Sequence, residues 1–139
     1  MLCTGGLKCG KILFRGRRDN DEWVYGDLLQ IPKKKWYSIM PQTPVSHNVK
    51  VIYETIGQCT GRNGYDKNGE LCYIYEGDIC SVRLEHGSYI CKVEYREGGF
   101  ALTTVDNKNF IWLGEMDDIV EELILLGNIY DNPELLECT

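Results

Sequence analysis

A chain of 139 residues is about the size of one domain and long enough to bury a hydrophobic core. Hydrophobic residues at 43% and charged residues at 26% argue against disorder, and no apolar run approaches the roughly 20 residues of a spanning helix. Fifteen basic against 21 acidic residues leave a net charge of −6, which opposes non-specific attraction to nucleic acid or to an anionic membrane surface.

Residues 1–10 carry Cys3, Cys9 and three glycines but no basic region followed by an apolar stretch, so they read as a flexible extension and not as a secretory signal. Residues 11–139 read as a single domain. The seven cysteines are odd in number and include no Cys-x-x-Cys pair. With no export signal they are expected to be free thiols of a cytoplasmic protein, with no metal bound.

Strand signals dominate the next stretch. Ile12, Leu13 and Phe14 form a short apolar run ending at Gly16, and the polar residues 17–22 form a turn before Trp23. From Trp23 to Ile31 the residues Trp23, Tyr25, Leu29 and Ile31 share one parity, interrupted by Asp27, until Pro32 removes a ladder donor. Lys33, Lys34 and Lys35 make a solvated tip, and 36–40 returns as a strand. The proline-bearing stretch 41–48 is the candidate long loop. Residues 49–56 fit a strand or one short helix. Asn63-Gly64 and Asn68-Gly69 are two dipeptides that supply the backbone angles of tight turns.

The clearest strand pair follows. Cys80, Val82 and Leu84 share one parity opposite Ser81 and Arg83, Tyr89, Cys91, Val93 and Tyr95 alternate with Ile90, Lys92 and Glu94, and Glu85, His86, Gly87 and Ser88 close the hairpin. Gly98-Gly99 turns the chain into 100–104, and a polar loop at 106–109 leads to Phe110, Ile111 and Trp112. An antiparallel meander is the expected product. Ile119, Val120, Leu123, Ile124 and Ile129 fit a helix while 123–130 equally fits a strand, and Asn132 before Pro133-Glu134 starts a short C-terminal helix.

Separated blocks along the chain carry a family likeness. They are Phe14-Arg15-Gly16 with Trp23-Val24-Tyr25-Gly26, then Thr55-Ile56-Gly57-Gln58 with Thr60-Gly61. Asp66-Lys67-Asn68-Gly69-Glu70 with Tyr75-Glu76-Gly77-Asp78-Ile79 comes next, and Gly127-Asn128-Ile129-Tyr130-Asp131-Asn132-Pro133-Glu134-Leu135-Leu136 is last. In this order they resemble the YopX-like family of phage and prophage proteins over about residues 11–136. The resemblance implies a mainly β fold with a small SH3-type barrel, an additional hairpin region and self-association into a homo-oligomer. It implies no catalytic residues. Residues 61–65 add to the family's usual spacing ahead of the Asp66 turn, and residues 71–74 lengthen the stretch after it.

Candidate chemistry is sparse. His47 and His86 are the only two histidines, and neither stands beside a nucleophile motif or a phosphate loop. Asp66-Lys67-Asn68-Gly69 places glycine too early for a calcium loop, and Glu76-Gly77-Asp78 reads as a turn whose Asp bonds nearby amides. The suggestive feature is aromatic. Arg15, Arg17 and Arg18 lie close to Trp23 and Tyr25, and Trp36-Tyr37 follows the lysine cluster, the residue types that stack a base and hold its phosphate. The leading expectation is therefore a non-enzymatic, homo-oligomeric binding protein without a cofactor, sequestering a nucleotide-like host immune signal through Arg15, Arg17, Arg18, Trp23 and Tyr25. An adaptor that binds a host protein is the alternative. A nucleic-acid accessory protein is a third reading, disfavoured by net charge and kept open by Lys33, Lys34 and Lys35.

Overall fold

The structure, a computed structural model, describes residues 12–41 and 47–137. The expected extension at 1–10 lies outside them, as does 42–46 within the proline-bearing loop. The chain divides into two compact units, one ending at Cys59 and the other beginning at Thr60. Among the described residues no helix is long and apolar enough to cross a membrane.

The first unit is built on antiparallel strands β1 (Phe14–Arg17), β2 (Trp23–Ile31), β3 (Trp36–Pro41) and β4 (Val49–Lys50). The opening residues of β5 (Gly57–Tyr65) pair with the other side of β1, giving the order β5–β1–β2–β3–β4. The strand β1 runs through Gly16, where the sequence pattern placed its end. The reason is packing: a Cβ on Gly16 would lie 2.8 Å from the Cβ of Val51, so only glycine lets the buried Val51 rest on the strand. Similarly, a side chain at Gly26 would collide with the Met40 carbonyl oxygen, which allows β2 and β3 to close on each other.

After β4 the chain crosses back toward β1. The Val51 N–H donates to the Tyr37 carbonyl at 3.0 Å, and the Ile52 N–H donates to the Arg17 carbonyl at 2.8 Å. A 3-10 turn over Tyr53–Thr55 follows, so residues 49–56 contain both the strand and the short helix that the pattern left open. Thr55 fastens this turn: its hydroxyl donates to the Ile52 carbonyl at 2.7 Å and accepts the Arg17 N–H at 2.8 Å. Among the described residues of this unit, Leu13, Ile39, Val51 and Cys59 are the buried hydrophobic ones.

The second unit has the order β10–β9–β8–β7–β11–β5, with β6 (Leu71–Tyr75) also pairing β5. Its strands are β7 (Asp78–Leu84), β8 (Gly87–Arg96), β9 (Gly99–Thr104), β10 (Phe110–Trp112) and β11 (Glu122–Asn128). The expected alternation holds at the centre of β7 and β8, where Cys80, Val82, Cys91 and Val93 are buried in one cluster with Ile74, Leu102, Leu113, Met116 and Leu123. Tyr89 and Tyr95, on the same parity of β8, are exposed because they lie toward the strand's ends, beyond that cluster. The intervening turn is tighter than 85–88, because Leu84 already pairs with Gly87. β11 returns to lie beside β7 and touches β5 in parallel through Ile124 and Tyr65, so the meander is interrupted.

Several expectations change here. Asn63-Gly64 is no turn but lies inside β5, since a Cβ on Gly64 would come within 2.5 Å of the Leu123 side chain. Asn68-Gly69 does turn the chain, and Asp66 organises it by accepting the N–H groups of Asn68 and Glu70 at 2.8 and 3.0 Å. Asp78, 1% exposed, accepts the Tyr75 N–H at 2.7 Å, the structural role read from its Gly-Asp pair. Residues 119–130 resolve as the end of a one-turn helix α1 (Met116–Ile119) followed by β11. The terminal helix begins at Pro133 as expected but is a 3-10 helix, Pro133–Glu137.

The protein is mainly β. Among the described residues no strand pairing closes either ladder, so the strand order is open where the resemblance implied a small SH3-type barrel. In the first unit the Ile52 to Arg17 bond links the crossing segment to β1 without forming a further strand pair.

Candidate functional site

The five residues singled out from the sequence do not form one pocket. Arg15 and Arg17 face Tyr25 and Trp23 in the β1–β2 register. The Arg15 guanidinium lies 4.7 Å from the Trp23 ring centroid, and the residue is only 4% exposed. This stack is internal: Trp23 already carries a cation on one face. The Arg17 guanidinium pairs with Asp21 at 3.7 Å, and Arg18 pairs with Glu22 at 3.5 Å across the hairpin turn. Of the five, only Arg18 reaches the large concave surface of the first unit.

That surface is a cleft of about 940 Å³, at the upper end of the range for small-molecule sites. Its walls come from the β1–β2 turn, the β2–β3 tip and the segment that crosses back from β4. Arg18, Lys35 and Lys50 supply positive charge, while Asp19 and Glu54 supply two carboxylates. Cations outnumber carboxylates here although the whole chain carries a net charge of −6. Tyr37 and Tyr53 stand in the same cleft with ring centroids 4.5 Å apart, inclined by 44°.

Local structure explains each placement. Pro32 ends β2 and opens a 3-10 turn, which Lys35 closes in the left-handed region at φ 50° and ψ 41°, its N–H bonded to the Pro32 carbonyl. Lys50 ends the two-residue β4, and its ammonium lies 5.3 Å from the centroid of the Trp36 ring. Tyr53 opens the turn fastened by Thr55 and is 55% exposed. Lys35 and Tyr37 carried a signal in the sequence, as part of an aromatic pair beside a lysine cluster. Lys50 and Tyr53 carried none, because only the crossing segment brings them to this cleft.

A second cavity of about 250 Å³ opens at one end of the core of the second unit, lined by Val82, Leu84, Cys91, Leu102 and Ile111 with His86 and Tyr89. It is chiefly apolar. Burial pushes the Cys91 thiol up to about 11, which makes it a poor nucleophile at neutral pH. The four described cysteines, Cys59, Cys72, Cys80 and Cys91, are buried, and no group of three or more metal-ligating side chains occurs among the described residues.

Among curated proteins none matches the chain. The family model described as YopX protein matches residues 13–137, nearly the whole length and both units, and the chain belongs to the YopX family.

Proposed function

We propose that this phage-type protein holds a small nucleotide-like anion without transforming it, and so keeps a host immune signal from its receptor. The single observation that supports the reading is the cleft of the first unit, where Arg18, Lys35 and Lys50 gather from three elements of an otherwise acidic chain and two tyrosines share the lining. The reading moves the site from the Arg15, Arg17, Trp23 and Tyr25 hairpin to Arg18, Lys35, Tyr37, Lys50 and Tyr53. The protein acts in the cytoplasm of an infected or lysogenic host and as a homo-oligomer. Protein purified from its host and then denatured is expected to release an intact anionic small molecule that absorbs in the ultraviolet. A chemically altered product, or no small molecule at all, contradicts the proposal.

One observation favours the adaptor reading. Leu29 and Ile31 on β2 are exposed, and Trp36, paired with Ile31 in register, is 40% exposed, which leaves an apolar stripe on one face of the β2–β3 hairpin. The same stripe suits self-association. Light scattering separates the two: a mass above the monomer that rises with concentration supports the homo-oligomer, and a monomer at every concentration contradicts it.

A further inference from the structure

The cleft of the first unit contains three kinds of chemistry, and together they specify a ligand more narrowly than an anion. Resting on the binding proposal above, we infer that its ligand is a nucleotide carrying at least two phosphoryl groups. Its base lies on Tyr53, its phosphates lie at Lys35 and Lys50, and a ribose or base donor reaches Glu54.

The cations come first. Lys35 and Lys50 approach the cleft from different elements, the β2–β3 tip and the end of β4, and Arg18 adds a third positive group from the β1–β2 turn. Arg18 is partly offset by Glu22 at 3.5 Å and the Lys50 ammonium lies 5.3 Å from the Trp36 ring centroid, while neither lysine has a carboxylate beside it among the ion pairs of the described residues. A single phosphate satisfies one ammonium; two ammonium groups from separate elements match a chain of phosphoryl oxygens. An inorganic polyphosphate would satisfy the lysines alone.

The carboxylates and the ring then exclude a bare inorganic anion. Glu54 stands in the same wall as the cations and repels phosphate, so a ligand that fits must also present hydrogen-bond donors, as ribose hydroxyls and exocyclic amines do. Tyr53 is adjacent to Glu54 and 55% exposed, so a ring face is open for a planar group. With the Tyr37 centroid only 4.5 Å away, no base fits between the two rings. Tyr37 therefore backs Tyr53, and the base takes the outer face. A cleft of about 940 Å³ is roomy enough for such a ligand.

The test is calorimetry of the full chain with ATP, inorganic pyrophosphate and adenosine, repeated on Tyr53→Leu and Lys50→Gln variants whose melting curves match the wild type. ATP is expected to bind at least about tenfold more tightly than pyrophosphate or adenosine. Tyr53→Leu weakens ATP about tenfold and leaves pyrophosphate unchanged, in line with the loss of one stacked base. Lys50→Gln weakens ATP and pyrophosphate alike. Pyrophosphate binding as tightly as ATP overturns the nucleotide assignment while leaving an anion-binding cleft. Binding of ATP that neither variant changes places the ligand elsewhere and overturns the inference. No binding of any of the three overturns both the inference and the proposal it rests on.

Discussion

Tyr53 lies against Tyr37, ring centroid to ring centroid at 4.5 Å, although the two stand on different elements of the first unit. The contact follows from the path of the chain after β4. Val51 bonds back to Tyr37, Ile52 bonds to Arg17, and the next residue is Tyr53. The crossing segment thus does two things at once. It covers Gly16 with Val51, and it delivers Lys50, Tyr53 and Glu54 to one wall of the cleft.

The crossing depends on the absence of a side chain at Gly16. Gly16→Ala puts a methyl group 2.8 Å from the Val51 Cβ and is expected to destabilise the protein by about 1–3 kcal/mol, the usual range for overpacking. Urea denaturation at constant slope measures it. An unchanged midpoint contradicts the packing described here.

In the second unit the strongest test is a charge in the core. Val93 is 2% exposed and stands in the cluster with Val82, Cys91 and Leu102, so Val93→Asp buries a carboxylate without a partner. That costs several kcal/mol, comparable to the whole stability of a domain, and the variant is expected not to fold. A soluble variant with a cooperative melt means the face is misplaced.

Cys91 makes stability fall at high pH. Its thiol moves from 9.0 to about 11 on burial. Between these values the unfolded chain loses the proton while the folded chain keeps it, so the contribution is complete below pH 9 and is lost as the pH rises toward 11. The loss is on the order of 2–3 kcal/mol. Chemical denaturation of the wild type and Cys91→Ala at pH 8 and pH 10.5 isolates it, because other groups titrate equally in both. Parallel pH dependences contradict the assignment.

The fold was legible wherever local pattern and tertiary role agreed. The alternation around Val82 and Val93, the Asp66 turn and the Pro32 stop all depend on neighbours in sequence, and each stands as read. Glycines were the least legible. Gly16 and Gly64 looked like punctuation, yet both lie within strands where Val51 or Leu123 presses on the backbone. The candidate site was half legible for the same reason. Arg15 and Trp23 do stack, but their partnership fills the space that a ligand was expected to take. Lys50 and Tyr53 belong to no motif and meet Lys35 and Tyr37 only through the long-range bonds of the crossing segment.

The central claim is that the cleft, and not the β1–β2 hairpin, holds the ligand. Backbone amide NMR of the isotope-labelled protein during titration with ATP tests it most directly. Saturable shifts are expected at Lys35, Tyr37, Lys50, Tyr53 and Glu54, with Arg15, Trp23 and Tyr25 little changed. Shifts centred on Arg15, Trp23 and Tyr25, or no saturable shifts in the first unit, contradict it.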